Sequence, residues 1–415
     1  MLKLKQIGFL PIIVVLITVI SVNLWSIFPI ENMVLSWGLY LLICISVLWN
    51  KYYYFSPNNG RDYLIIRIYI IWMIIGVIRG CFVAENYWEW KELVSATFAL
   101  SLPIFVYAFS IPLILQTTLS VWIKFALPAF GLFFIWAISR DAHHFYLGPI
   151  LLLGCFIPAL PKKWKYILLG LLFLMLVVDL TARSQTIKAA IVLLISAAYY
   201  LSRYTSTRIF NIAHWFCYII PIVFLTTAIM GVFNPFQALE DNEGKYMTTD
   251  EVGEVEDLAA DTRTGLYEEI VSSAVRHNYI WQGRTPARGN DSWIFGSYTA
   301  EELKTGRYER HSNEFCHPNI FTWLGLIGVV FYGLIYLRGS YLALYKSNSV
   351  WMKLIGVFIA FRWAFGWIED TNSIDISNIA LWMMIAMGFS EQFRAMSNTE
   401  MEEWVCGILK FKSNK

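Results

Sequence analysis

Long apolar runs separated by short polar connections make up most of this chain. The runs cover residues 7–28, 33–49, 63–84, 95–116, 119–138, 146–160, 164–182, 187–202, 211–233, 318–338, 350–368 and 374–391. Most approach the ~20 residues an α-helix needs to cross a hydrocarbon layer. None shows the short alternating segments of a membrane barrel. The pattern therefore predicts an all-α, polytopic membrane helix bundle of about twelve transmembrane helices. Lys3 and Lys5 before the first run resemble the start of a signal peptide. That run lacks a small-residue cleavage site and is followed by many similar ones, so a retained first span is expected.

The connections carry an orientation. With the N-terminus inside, the inner connections hold Lys51, Arg61, Lys162, Lys163, Lys165, Arg203, Arg208, Arg338 and Lys346, and the tail adds Arg394, Lys410, Lys412 and Lys415. The outer ones hold Glu31, Glu85, Glu89, Glu92, Glu369, Asp370 and Asp375, with few cations. This bias predicts an even number of spans with both termini cytoplasmic. The chain divides into spans one to nine (1–233), a large outer loop (234–317), spans ten to twelve (318–391) and a cytoplasmic tail (392–415).

The outer loop breaks the pattern of short connections, and long loops in compact proteins often do the work. It is acidic from Glu240 to Asp261 and basic afterwards, with Arg276, Arg284, Arg288, Lys304, Arg307 and Arg310. Residues 261–282 read as an amphipathic helix with Asp261 or Thr262 as cap and a stripe of Leu266, Ile270, Ala274 and Val275. It is expected to lie along the membrane surface or over the bundle. The segment GRTPARGND must then be a loop.

Composition strengthens the membrane reading: 57% hydrophobic, 15% charged, mean hydropathy +0.54. Soluble domains carry about 25% charged residues. A net charge of +2 gives no reason to expect a nucleic-acid partner. The six cysteines are scattered, with no spacing that suggests zinc or a disulfide framework.

Candidate chemistry gathers on the outer side. Arg183, between two apolar runs, reads as an anion clamp or as an interfacial arginine paired with Asp179. Arg263 opens the amphipathic helix, where anions are favoured, or is a solvated charge. Arg284 and Arg288 flank Pro286 in a glycine-containing loop able to wrap a phosphate, although no P-loop pattern is present. His317 precedes Pro318 and reads as a general base at the start of the tenth span or as a plain cap. His311 competes for the same role. Gly325 and Gly328 would let that helix pack closely. Arg67, Arg79, Lys124 and Arg362 fall in apolar runs, where they would line a cavity or pair with acids such as Glu369. No metal motif, serine triad or nucleotide-binding loop is present.

The order of these residues resembles the O-antigen ligase and polymerase superfamily of bacterial inner-membrane proteins over about the last 240 residues of the chain. Thr181-Ala182-Arg183-Ser184 is similar to that family's serine–arginine segment, with the usual order reversed. Arg263-Thr264-Gly265-Leu266-Tyr267 is similar to its arginine-led periplasmic helix. His317-Pro318-Asn319, leading to Gly325 and Gly328, is similar to its histidine–asparagine entry to the next span, with Pro318 inserted; His311-Ser312-Asn313 is a second candidate. The resemblance implies transfer of a glycan from undecaprenyl diphosphate, in the outer leaflet, to an acceptor such as the lipid A core. Arg183 and Arg263, with Arg284 and Arg288, would bind the diphosphate, and His317 or His311 would take the acceptor's proton. It implies inversion at the anomeric carbon, no cofactor and no metal. Ligase is preferred over polymerase because one sizeable outer loop is seen rather than two. A lipid-linked sugar transporter is the alternative of another class; neither internal repeats nor broken helices favour it.

Overall fold

Helices form where the apolar runs predict them, and polar residues decide where they stop. The structure, a computed structural model, describes residues 8–22, 25–27, 33–58, 60–140, 142–178, 183–201, 208–230, 247–249, 255–257, 263–302 and 304–410. The labelled helices are α1 (Leu10–Ile20), α2 (Met33–Trp49), α3 (Leu64–Val83), α4 (Tyr87–Leu100), α5 (Phe105–Phe109), α6 (Pro112–Ala129), α7 (Gly148–Gly154) and α8 (Lys162–Val177). They continue with α9 (Arg183–Leu201), α10 (Arg208–Ile229), α11 (Thr264–Arg276), α12 (Cys316–Tyr345), α13 (Val350–Phe365), α14 (Ile376–Phe389) and α15 (Asn398–Leu409). Two small antiparallel ribbons, Met247–Thr249 with Val255–Asp257 and Asn290–Asp291 with Glu309–Arg310, interrupt the helices.

This is an all-α membrane bundle. Among the described residues, six helical stretches are long and apolar enough to cross a membrane: Arg61–Val83, Tyr87–Phe109, Pro112–Ala137, Arg183–Leu201, Arg208–Thr227 and Cys316–Tyr345. Their outward faces remain apolar. Ile68, Ile71, Ile75, Ile78 and Phe82 on α3, and Ile212, Phe216, Ile219 and Val223 on α10, are exposed. Such surfaces are unfavourable in water and suited to lipid. The interior is built on α12, α13 and α14, with Trp351, Trp382, Tyr332 and Tyr336 among its largest buried side chains.

Contacts sort the connections into two ends. At one end Asp62 pairs with Arg338 and Arg394, Trp404 donates to the Pro112 carbonyl, and Cys406 lies 3.5 Å from the Ala159 carbonyl. At the other, Ile27 bonds Ala137, Ile376 bonds the Ser21 hydroxyl, and the 366–375 connection meets residues 183–188 and 311–319. The second will be called the His317 end.

Several boundaries differ from the sequence reading. The first run yields a helix of only 11 residues, which turns at Ser21–Val22. The break predicted near 116–119 lies at Ser110–Ile111, because Pro112 starts α6 and has no N–H to continue the helix before it. The run 146–160 is three short pieces, Ala142–Tyr146, α7 and Ile157–Ala159, since Pro149 and Pro158 each start a fresh turn. The tail folds: Ser397 and Glu400 form a capping box, and α15 packs Met401, Trp404, Val405 and Ile408 inward. The acidic stretch from Glu240 to Asp261 falls largely outside the described residues, as do the capping candidates Asp261 and Thr262 and the partner candidate Asp179.

α11 is amphipathic as predicted and lies against the start of α12. Leu266 and Ile270 pack on Phe315, joined by Tyr267, Phe295 and Phe321. Val275 does not belong to the stripe: Leu266, Ile270 and Ala274 repeat every four residues, and Val275, one position further round, is exposed. Gly325 does not mediate close helix packing either. Its φ of +71° breaks α12, and an added Cβ would stand 2.3 Å from the Trp281 carbonyl. The break admits the loop at 281–284, whose Arg284 N–H reaches the Thr322 carbonyl at 2.7 Å. Trp72 donates to the Leu324 carbonyl and Arg79 to those of Gln282 and Gly283, so α3 clamps the same junction.

Candidate functional site

Two polar assemblies share the His317 end. The first is buried. Its hub is Glu369, in the connection from α13 to α14. One carboxylate oxygen accepts from Lys188 of α9, with Gln185 at 3.3 Å and Ser184 at 3.5 Å; the other lies 3.4 Å from Arg362 of α13. Lys188 and Arg362 are each nearly inaccessible. Burial works against the Glu369 charge, yet Lys188 and Arg362 hold the carboxyl below its usual range. A carboxylate between two cations is the arrangement that makes buried charge tolerable.

His317 adjoins this hub through the backbone. Its own N–H bonds the Gly366 carbonyl, and the Cys316 N–H bonds that of Glu369. Those two bonds satisfy first-turn donors, so α12 begins at Cys316 and His317 lies inside the helix rather than capping it. The imidazole is 1% exposed, enclosed by Trp363, Trp367 and Tyr332. Nε2 lies 2.8 Å from the Trp363 carbonyl, which can only accept. Nε2 therefore carries the hydrogen, and Nδ1, which has no partner, keeps its lone pair.

Arg183 opens α9, one turn before Lys188, and Arg263 occupies the N-cap position of α11; both are half-buried. Four residues after Arg263, Tyr267 stacks on Phe315 and donates its hydroxyl to the Trp367 carbonyl. Both arginines thus stand on elements that converge on the 366–370 connection holding His317 and Glu369.

Next to Glu369, Asp370 is enclosed by Asn319, Asn372 and Asp375, and burial pushes its carboxyl up to about 7. Asn319 continues outward: it accepts from the Asn313 N–H at 2.6 Å, and the Asn313 amide donates to Asn290 at 2.8 Å. This file of asparagines leads from the buried hub to the second assembly.

The second assembly opens to solvent as a cavity of about 590 Å³ between the end of α11 and the Asn290–Asp291 ribbon. Arg284 bonds Asp291 at 3.0 Å and Glu309 at 2.9 Å; Arg288 also grips Glu309, through Nε at 2.8 Å. Arg276 and His277 both reach Asp291. Burial would raise the Asp291 carboxyl, but His277 and Arg284 hold it below the usual range. Arg307 spans Glu85, just before α4, and Glu89 in the first turn of that helix.

Of the residues singled out in the sequence, His317 adjoins the buried hub, and Arg183 and Arg263 stand on helices whose neighbouring residues, Ser184 and Tyr267, reach the connection that holds it. Arg284 and Arg288 belong to the cavity and face protein carboxylates. His311 is elsewhere: Nδ1 is 3.0 Å from Glu92 and Nε2 is 2.8 Å from the Pro286 carbonyl, beneath Trp323. Burial would depress its imidazolium, but Glu92 more than reverses this, and His311 braces α4 against the loop. Arg362 pairs with Glu369 as expected of an arginine in an apolar run, whereas Arg79 binds carbonyls. Lys188 and Asp370 were missed as site residues; the signal was present for Lys188, a lone lysine in an apolar run. Among the described residues, no group of three or more His, Cys, Asp or Glu is placed to hold a metal ion, and the six cysteines are free.

No family model matches this chain, and comparison with curated proteins and with solved structures likewise gives no match.

Proposed function

We propose that this chain is a membrane-embedded glycosyltransferase of the O-antigen ligase type, moving a glycan from undecaprenyl diphosphate to an acceptor such as the lipid A core of lipopolysaccharide. The observation that carries this reading is the imidazole of His317, fixed through Nε2 and bare at Nδ1, beside a hub on which two cation-bearing helix starts converge. The helical stretches pass between two ends and make twelve crossings by this reading, with both termini in the cytoplasm and the His317 end in the periplasm of a bacterial inner membrane.

In the reaction the anomeric C–O bond to the diphosphate breaks and a C–O bond to the acceptor hydroxyl forms. The leaving diphosphate takes the bonding pair. Arg183 and Arg263 meet the charge that develops on it, a role in which one contact is worth about 3 kcal/mol. His317 Nδ1 takes the acceptor's proton. His317 is covered by Trp363, Trp367 and Tyr332, so the mechanism requires these rings to move when substrate enters. Attack opposite the leaving group inverts the anomeric carbon. Lipid-exposed aliphatic faces suit the polyprenyl tail.

A surface-glycan gel of cells with and without the gene, run beside the lipid-linked pool, tests the reading. Loss of long chains from lipid A, with polymer accumulating on undecaprenyl diphosphate, is the expected result. Lipid A capped by a single repeat would instead mark a polymerase of the same chemistry, and no change in either pool would count against both and toward a transporter. His317→Ala and Arg263→Ala should each abolish transfer while the protein still inserts; full activity in both refutes the mechanism.

A further inference from the structure

The cavity at the loop surface is lined by arginines, yet its chemistry is wrong for a diphosphate. Each of its four arginines already faces acid: Arg276 and Arg284 at Asp291, Arg284 and Arg288 at Glu309, Arg307 at Glu85 and Glu89. Four guanidinium charges against four carboxylates leave no positive excess, and Asp291 and Glu309 themselves line the opening. A phosphate entering there would meet carboxylate oxygens as often as donors.

The same lattice suits a different ligand. Guanidinium N–H groups and carboxylate oxygens alternate around the wall, so hydroxyl groups, which both donate and accept, find partners in either role. Trp293 and Tyr308 also line the cavity and are 59% and 57% exposed. Exposed rings in a polar cavity offer flat apolar faces to a ligand, and the Tyr308 hydroxyl is held by Glu301 at 2.9 Å. The volume lies within the ~300–1,000 Å³ of small-ligand sites. The polar network beneath is rigidly tied: Ser292 and the N–H groups of Trp293 and Ile294 all bond the buried Glu269.

We infer that this cavity is a saccharide subsite, which holds an uncharged sugar of the glycan against Trp293 and Tyr308 while its reducing end lies at the His317 hub. The inference rests on the glycosyltransferase reading and names a substrate contact for it. Arg284 and Arg288 then orient sugar hydroxyls rather than bind diphosphate, and the Asn290–Asn313–Asn319 file joins the two stations.

The test uses the full chain in detergent micelles and calorimetric titration. The probe is the lipid-free oligosaccharide released by mild acid from the host's own lipid-linked glycan, with inorganic pyrophosphate as competitor. The wild type is expected to bind the oligosaccharide, and pyrophosphate is expected not to displace it. Trp293→Ala and Tyr308→Ala, at exposed positions outside the arginine–carboxylate pairs, should each weaken binding about tenfold, equivalent to ~1.4 kcal/mol. His317→Ala should bind the oligosaccharide as tightly as wild type while failing to transfer it. Wild-type affinity in both aromatic variants, displacement by pyrophosphate, or no binding by the wild type would overturn the subsite. Those results would leave the transferase reading standing if wild type still transfers glycan in vitro. Binding through Trp293 by a protein that transfers nothing would sink the transferase reading and leave the sugar site.

Discussion

The two polar assemblies at the His317 end use the same residue types to opposite effect. Around Glu369, cations and acid are sealed inside the bundle, and His317 is held in one tautomer with a nitrogen to spare. Around Glu309, arginines and acid line an open cavity, and the arginine side chains are 11–14% exposed against 2–3% for Lys188 and Arg362. The difference teaches that counting arginines does not locate an anion site. Burial decides what an ion pair costs, and prior partners decide what it can still bind.

The largest effect expected to sharpen this contrast is on stability at the hub. Glu369→Leu leaves Lys188 and Arg362 buried without their acid and should destabilise by about 3–5 kcal/mol. Thermal unfolding in detergent checks this, and adding Lys188→Met should recover part of the loss. A smaller cost than that of Arg307→Ala at the rim would erase the distinction between the two regions.

Next in size is activity. By the proposed mechanism His317→Ala should take transfer below detection, a loss of about a hundredfold or more. Glu92→Gln, which removes the acid that braces His311, should lower it far less. Comparable losses would mean that the second histidine also takes part.

Asp370 supplies a pH effect. Its carboxyl, raised to about 7, keeps its proton in the folded chain where the unfolded chain has lost it. The native state then binds more protons between about pH 4 and 7, so this group erodes stability as pH rises through that window. Asp370→Asn should therefore gain on the wild type in Tm as pH rises from 4 to 7 and hold that gain above it. A constant difference between the two proteins would show that the carboxyl is not buried in this way.

The smallest effect concerns His311. Its raised pKa contributes stability that is fully present below about pH 6.5 and is lost as pH climbs through the folded value. In Glu92→Gln burial is no longer outweighed, so that loss should shrink or vanish, a change of a few degrees at most in a melting series.

How much of this was readable beforehand follows from range. Apolar runs and caps act locally, so the membrane bundle and the amphipathic α11 were legible. The folding of the tail was legible too, in Ser397 and Glu400 ahead of a Met401, Trp404, Val405 and Ile408 stripe, although it was read only as a tail. Helix ends at Ser110–Ile111 and at Cys316 were misjudged, the first because Pro112 outweighs hydrophobicity, the second because carbonyls some 50 residues away satisfy the helix start.

By itself the sequence determined the class of protein, since a chain this apolar has to shield its backbone in helices and leave its outer faces to lipid. It also singled out Glu369, Arg362 and His317 of the first assembly and Arg284 and Arg288 of the second. Which arginine is already neutralised, which histidine keeps a free nitrogen, and which lysine meets Glu369 were decided only by tertiary structure. The physical reason is that an ion pair or a tautomer depends on ångström distances between segments as much as 332 residues apart, and no local pattern encodes them.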